Sequence, residues 1–297
     1  MKKTAVPAAI LAVSVGLAAQ AQNLKVVIGE VIDDRFSGGP LTGSLRVELG
    51  IDGDGKDGVK AARFLPKEAK DDTGASLLRA PKDTDKKEPS FDSVDSQAKV
   101  RVTLENPSRK AKSFRLSGKL ELFVPSRDPN AVVKVPGALA QKDKPLKSAG
   151  LKAAKVEVTL LSKAAYEEVK KKQKLDDEKI AQIRAEGKKR GVSEKEVDAM
   201  IELAKAFQEM GADVPEGAVI LYGKVADMEK VVDVALQKAD GSEIHVSGRS
   251  SSSDRDGKST VLRPDEPPPA DAVLVFTLLT DKAKVALPVD LKEVPLP

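Results

Sequence analysis

The chain of 297 residues contains no cysteine and no tryptophan, a single histidine, His245, and only two tyrosines, Tyr166 and Tyr222. Each absence removes a chemistry. Without cysteine there is no disulfide, no thiolate nucleophile and no lipid attached through an N-terminal cysteine. One histidine and no cysteine leave zinc and copper sites of the usual type without their ligands. The 46 acidic residues would supply the paired carboxylates of a glycoside hydrolase, but sugar clefts also stack rings on aromatics, which make up 3% of the chain. No glycine-rich phosphate loop precedes a helix, and no nucleophile-elbow pattern occurs. Long apolar runs are missing as well, with one exception at the start.

That exception reads as a secretory signal peptide. Lys2 and Lys3 form a basic head, Ala5 to Ala18 an apolar stretch, and Ala19-Gln20-Ala21 puts small residues where a signal peptidase reads. A membrane-spanning helix needs roughly 20 apolar residues, and Gln20, Gln22 and Asn23 end this run too early. The pattern predicts cleavage near Ala21, a mature protein from about Gln22, and a periplasmic or secreted location. Cleavage there leaves 48 basic residues against 46 acidic ones. Nucleic-acid binding requires basic residues gathered on one face, whereas lysines and acids alternate along this chain. The runs Lys170-Lys171-Lys172 and Lys188-Lys189-Arg190 read as solvated helix faces, with Glu167 to Lys171 and Glu168 to Lys172 at pairing distance. A lipid-surface helix would need a strong apolar face flanked by lysine throughout.

Changes of hydrophobic period divide the mature chain. From Leu24 to about Leu161 apolar residues alternate in short runs punctuated by Gly, Pro and Asp, an antiparallel β pattern. Strands are predicted over 24–32, 44–51, 59–65, 76–79, 98–105, 116–124, 131–135 and 151–161. In the fifth, Val100, Val102 and Leu104 share one face and Arg101, Thr103 and Glu105 the other, so one face is buried and one is wet. Between Ser162 and Asp213 proline disappears and Ala, Glu, Lys and Gln dominate, which predicts an inserted helical hairpin. Ser193 and Glu196 form a capping box. Val197, Met200, Ile201, Ala204 and Phe207 follow at helical spacing, with Gly211 as the stop. The preceding helix carries Tyr166, Val169, Ile180 and Ile183, and Gly187 to Gly191 is expected as the turn.

After the hairpin the β pattern returns over 218–226, 230–237, 243–248, 272–279 and 284–291, while Ser250 to Pro269 reads as a long exposed loop. The expected organisation is a signal peptide over 1–21, a β-sandwich domain over 22–161, the hairpin over 162–213 and a second β-sandwich region over 214–297. The fold class is all-β with a helical insertion: one or two Ig-like antiparallel β-sandwiches. The strand–turn–strand around Asp71-Asp72-Thr73-Gly74 is echoed around Ala239-Asp240-Gly241-Ser242. Both duplication of one sandwich and two ordinary hairpins would produce that echo.

The turn Asp71-Asp72-Thr73-Gly74, the segment Leu116 to Leu122 and the ending Leu287 to Pro297 resemble parts of uncharacterised secreted bacterial β-sandwich proteins of Ig-like type. The resemblance covers the β portions and leaves out the helices. It implies a sandwich fold and no assigned activity or site residue.

Two patterns resemble sites. His245 shares a strand face with Glu243 and Ser247, the raw material of a Ser-His-Asp arrangement, although a strand histidine among polar neighbours is ordinarily a solvent-facing residue. Asp52, Asp54 and Asp57 suggest a calcium loop, but counting from Asp52 an EF-hand needs an oxygen ligand at position 5, Gly at 6 and Glu at 12. Those positions hold Lys56, Asp57 and Arg63. A looser calcium site remains the alternative to a wet hairpin loop. The function read from the sequence is therefore a non-catalytic extracytoplasmic binding or scaffold module with a protein partner in the cell envelope, the hairpin being its docking surface. The alternatives are an envelope-polymer hydrolase working through carboxylates and a calcium-stabilised structural domain. Amino-terminal sequencing of the protein recovered from cells is expected to begin at about Gln22, and intact Met1 in the cytosolic fraction would overturn the export reading.

Overall fold

Alternation of apolar and polar residues fixes which face of each strand is buried, and the computed structural model shows the result for residues 24–35, 43–79, 89–94, 98–173, 177–189, 191–209, 214–253 and 257–297. The signal-peptide segment lies outside the described residues. The first strands are β1 (Lys25–Asp34), β2 (Ser44–Asp52), β3 (Ala61–Asp71), β4 (Asp92–Ser93), β5 (Lys99–Leu104), β6 (Ser113–Phe123) and β7 (Val132–Val135). Next come helix α1 (Ala149–Ala153), strand β8 (Thr159–Leu161) and helices α2 (Lys163–Gln173), α3 (Asp177–Lys189) and α4 (Glu194–Glu209). After them run β9 (Val219–Gly223), α5 (Val225–Met228), β10 (Val231–Gln237), β11 (Glu243–Ile244), β12 (Val246–Ser253), β13 (Lys258–Pro264), β14 (Val273–Leu278) and β15 (Lys284–Pro295). The protein is mostly β, with four sheets in antiparallel pairing and few helices.

The chain divides into two compact units, residues 1–132 with 277–297, and residues 133–276. These units cut across the ranges 22–161 and 214–297 suggested by hydrophobic period. In the first unit the sheets run β1-β2-β5 and β15-β6-β3-β4. One hydrophobic cluster draws on both, with Leu45, Val47 and Leu49 of β2 and Val102 and Leu104 of β5 joining Phe114, Leu116, Leu120 and Leu122 of β6 and Val289 of β15. Pro66 interrupts β3 where the register shifts between Pro66 and Glu68. It is tolerated because β4 pairs only with Ala61 and Ala62, so the missing N–H at position 66 faces an unpaired edge.

In the second unit the sheets run β12-β13-β9-β8 and β11-β10-β14-β7. Helix α2 is tied to the first of these: Tyr166 is buried with Leu161, Val214, Ile220 and Val261. The Ser162 hydroxyl accepts from the Ala165 amide at 3.2 Å at the start of that helix.

Two segments differ from the sequence expectation. Residues 151–161 begin as helix α1, because Ser148 accepts from the Leu151 amide at its N-cap, and only Thr159–Leu161 are strand. Residues 250–269 are largely not a loop. Ser250, Ser251, Ser252 and Ser253 of β12 pair with Val261, Thr260, Ser259 and Lys258 of β13, so a neighbour rich in buried Val and Leu pins a serine run that has little strand preference of its own.

Asp71, at the end of β3, is the buried acid that sets the following turn. Its Oδ1 accepts from the Thr73 amide at 3.0 Å, the Thr73 hydroxyl at 2.7 Å and the Ala75 amide at 2.9 Å. Its Oδ2 accepts from the Ser108 amide at 2.8 Å, tying the turn to the segment before β6. Burial pushes this carboxyl upward, but the Thr73 hydroxyl and the amides of Ser108, Ala75 and Thr73 outweigh it and hold the group below its ordinary value. A depressed carboxyl contributes stability that is present above the unfolded-state value near 3.9 and is lost as pH falls below it. Asp71→Asn puts an amide N–H against the Ser108 N–H and is expected to cost about 2–3 kcal/mol. Denaturant titration at pH 7 and at about pH 3 checks this: the deficit should be large at pH 7 and shrink in acid, and a pH-independent loss would refute the ionic role.

Candidate functional site

The chemistry available to the three candidate regions follows from what each side chain touches. His245 Nδ1 lies 2.7 Å from Asp265 Oδ2, and the two side chains are 78% and 53% exposed. The Ser247 hydroxyl is shared between the Arg263 carbonyl, 3.1 Å away, and the Asp265 carboxylate. Hydrogen bonding first from Ser247 and then from His245 holds the Asp265 carboxyl below its ordinary value. The arrangement is thus a solvent-exposed acid with two donors. A Ser-His-Asp nucleophile needs the serine on the imidazole nitrogen that the acid leaves free, whereas Ser247 addresses the acid.

Asp52 closes the β1–β2 ladder opposite Lys25, and their side chains form an ion pair at 3.2 Å. Hydrogen bonds from Lys25 and from the Gly53 amide are the main causes that keep the Asp52 carboxyl low. Gly53 and Gly55 take positive φ, 114° and 85°, which lets the chain turn tightly into a short 3-10 turn over Lys56–Gly58. Asp54 and Asp57 lie in this turn with Asp52. Among the described residues, no group of three or more His, Cys, Asp or Glu side chains is gathered to hold a metal ion.

The expected first helix is described in two stretches, α2 and α3, and the residues between them, 174–176, lie outside the described residues. Among the described side chains of α2, Lys170 pairs with Glu167 at 3.3 Å and Lys171 with Glu168 at 2.6 Å, while the Lys172 side chain of the expected Glu168–Lys172 pair lies outside the described residues. Gly187 lies inside the last turn of α3, and the helix ends one residue pair later. The Val192 amide donates to the Gly187 carbonyl at 3.0 Å and the Gly191 amide to the Lys188 carbonyl at 3.2 Å. With Gly191 at φ 72°, this is a Schellman stop. The Ser193 amide and hydroxyl donate to Glu196 Oε2 at 3.1 and 2.7 Å, and the Glu196 amide returns to Ser193 Oγ at 3.4 Å. The expected capping box therefore starts α4.

Between α3 and α4, Arg184 reaches Asp198 at 2.9 Å, and Gly187 sits where an added Cβ would lie 2.5 Å from Val197 Cγ2. Only a residue without Cβ allows that approach. Val197 and Ile201 are buried, whereas Met200 is 64% and Leu203 58% exposed. The single apolar stripe expected on α4 is thus divided: one edge is covered and another faces water. The Phe207 side chain and Gly211 lie outside the described residues. Among those described, Met200, Leu203 and Val132 are the large apolar side chains that stand exposed. Sequence reasoning placed Met200 on the covered side and passed over Leu203. Their three-residue spacing, offset from Val197 and Ile201, is the signal that would have separated them.

Two polar clusters in the first unit also escaped sequence reasoning. One is Asp71. The other is Glu121, directly opposite Arg63 in the β3–β6 ladder, with Arg63 and Lys119 at 2.7 and 2.5 Å from its carboxylate. Burial raises this carboxyl, but hydrogen bonds from Lys119 and Arg63 prevail and keep it low. Phe91 lies 4.8 Å from the Arg63 guanidinium and covers the pair.

No family model, curated protein or solved structure matches the chain. Among the described residues no helix is long and apolar enough to cross a membrane. With Asp52 already paired to Lys25, adding millimolar calcium to chelated protein is expected to move the thermal midpoint by less than about 1 °C. A rise of several degrees, lost in Asp54→Asn or Asp57→Asn, would instead establish a calcium site by linkage.

Proposed function

We propose that the protein is a non-catalytic binding or scaffold module working outside the cytoplasm, in which Ig-like β-sandwiches carry the α3–α4 helical hairpin as a docking surface for a protein partner of the cell envelope. The observation that carries this reading is the exposure of Met200 and Leu203 one turn apart on α4, beside the buried pair Val197 and Ile201. An amphipathic helix that spends part of its apolar surface on its own hairpin and leaves the rest to solvent has the form used for recognition in grooves. Exposed apolar neighbours of this kind mark interaction surfaces more often than isolated ones do.

Three further observations support the reading. The orders β1-β2-β5 and β15-β6-β3 correspond to the A-B-E and G-F-C sheets of an Ig-like sandwich. The N-terminal basic, apolar and small-residue succession favours export. A hydrolase of the two-carboxylate kind needs an acid whose pKa is raised. The displaced carboxyls among the described residues, Asp52, Glu68, Asp71, Glu121, Asp128, Asp143, Glu196, Asp240, Asp265 and Asp281, all move downward. These acids serve as hydrogen-bond acceptors and ion-pair partners.

Burying an exposed Leu or Met contributes about 1.5–3 kcal/mol each, so a partner seated on both gains at least about a hundredfold in affinity. Met200→Lys with Leu203→Lys is expected to leave the thermal midpoint within about 2 °C of the parent, since both side chains already face water. The same variant should reduce retention of an envelope protein in affinity capture from membrane extract at least tenfold. Equal retention by parent and variant at matched stability would remove α4 as the docking face.

A further inference from the structure

The two units share an order of strands. In the first, β1, β2 and β5 form one sheet and β3 and β6 the centre of the other. In the second, β8, β9 and β13 form one sheet and β10 and β14 the centre of the other. The correspondence extends to single hydrogen bonds. After β3, the Asp71 amide donates to the Ala75 carbonyl at 3.0 Å and the Gly74 amide to the Asp71 carbonyl at 3.0 Å. After β10, Lys238 donates to Ser242 at 2.8 Å and Gly241 to Lys238 at 2.9 Å. The two glycines have φ of 90° and 89°. Beyond the turns, Lys70 pairs with Ser76 and Gln237 with Glu243.

The exits from the last shared strand also match. After β6 come two 3-10 turns, Pro125–Arg127 and then Pro129–Ala131, the second of which leads directly into β7; after β14 a single 3-10 turn over Asp281–Ala283 leads directly into β15. Ala131 donates to the Asp128 carbonyl at 2.9 Å, Ala283 to the Thr280 carbonyl at 3.2 Å, and both alanines are fully buried. Yet the strand that follows β6 lies beside β14, and the strand that follows β14 lies beside β6. The seventh strands of two like units have changed places.

We propose that the outer edge of β6 is a strand-binding site whose occupant is exchangeable, and that the site on one copy of this protein accepts β15 of a second copy. The site recognises an antiparallel strand with apolar residues at alternate positions. β15 supplies these as Val285, Leu287 and Val289, set opposite Leu122, Leu120 and Gly118 along ten register pairs. None of those contacts depends on the strand being joined to its own β14. Residues 279–283 form the only covalent tether between the site's occupant and the preceding strand, and short tethers of this kind are where strand exchange between copies occurs. Within one chain the effective concentration of a short-tethered strand is on the order of millimolar. The closed monomer therefore prevails in dilute solution, and exchange requires opened chains at high concentration.

Because the chain lacks cysteine, the pairing can be read by introduced thiols at the register partners Ser117 and Asp290. Full-length protein carrying both Ser117→Cys and Asp290→Cys is expected to close an intramolecular disulfide, which shows that these positions report the pairing. Full-length Ser117→Cys and Asp290→Cys single variants, differing in an affinity tag, are then unfolded, mixed and refolded at about millimolar concentration under oxidising conditions. A mixed-tag covalent dimer on a non-reducing denaturing gel is expected, its yield rising with protein concentration and falling at least tenfold when the variants are refolded at micromolar concentration. If the double variant closes while the mixture stays monomeric, β15 is not exchangeable. If the double variant fails to close, β15 does not occupy the β6 edge at all. Either result overturns the proposal.

Discussion

Strand β6 is paired on both sides for almost its whole length, with β3 from Ala61 to Asp71 on one side and with β15 from Lys284 to Pro295 on the other. The rest of the first unit depends on that double ladder. The face of β6 that carries Phe114, Leu116, Leu120 and Leu122 supplies the middle of the shared core, and the opposite face carries Glu121, whose carboxylate pairs with Lys119 on its own strand and with Arg63 across the ladder. Gly118 interrupts the apolar face for a steric reason. A Cβ there would lie 2.4 Å from the Leu65 carbonyl and 2.8 Å from the Phe64 ring, because the bulge at Pro66 draws β3 toward it. A proline on one strand and a glycine on the next are a matched pair, each tolerated because of the other's geometry.

Most strands were legible because one-sided burial imposes a period of two on the residues that form them, and that period survives in the sequence. Ser44 to Ile51 and Lys230 to Gln237 show it plainly. What the period cannot carry is the identity of the neighbour. Nothing local to Val132–Val135 or to Lys284–Pro295 distinguishes the sheet each joins, since alternating valines and leucines suit any half-buried edge. The division of the chain into 22–161 and 214–297 followed sequence continuity and so placed both strands with the units they leave. The serine run of β12 failed for the complementary reason: its strand state is imposed by Val261 and Leu262 on the neighbouring strand, a tertiary effect without a local trace.

The candidate site was legible in its ends more than in its surface. Ser193 with Glu196 announced the start of α4 because a capping box is a local exchange of hydrogen bonds between residues three apart. Which of Val197, Met200, Ile201 and Leu203 would be covered depends on the close approach that Gly187 permits, and a glycine inside a helix reads from sequence as a turn. The two acids with the most developed surroundings, Asp71 and Glu121, were likewise hidden. Their partners, Ser108 and Arg63, are distant in sequence, and an aspartate before Asp-Thr-Gly looks like any other turn residue.

A chain without disulfides must close its long loops by ladders, and here the closures are unusually long. Phe123 faces Lys284 and Ser113 faces Pro295, so the edge of β6 has no partner until roughly 160–180 further residues exist. Loop-closure entropy grows only logarithmically with such a separation, so the equilibrium penalty is modest. The kinetic consequence is larger, because pairings of high sequence separation form slowly. A unit whose central strand waits for β15 stays incomplete until β15 has been made. For a protein that crosses a membrane as an extended chain, as its N-terminal segment leads us to propose, that delay removes the conflict between folding and transport. It also leaves the apolar edge of β6 open for a period, and in that period the strand that fills it is selected by concentration as much as by sequence. The same topology that spares the protein its cysteines makes the β6 edge the place where two copies can meet.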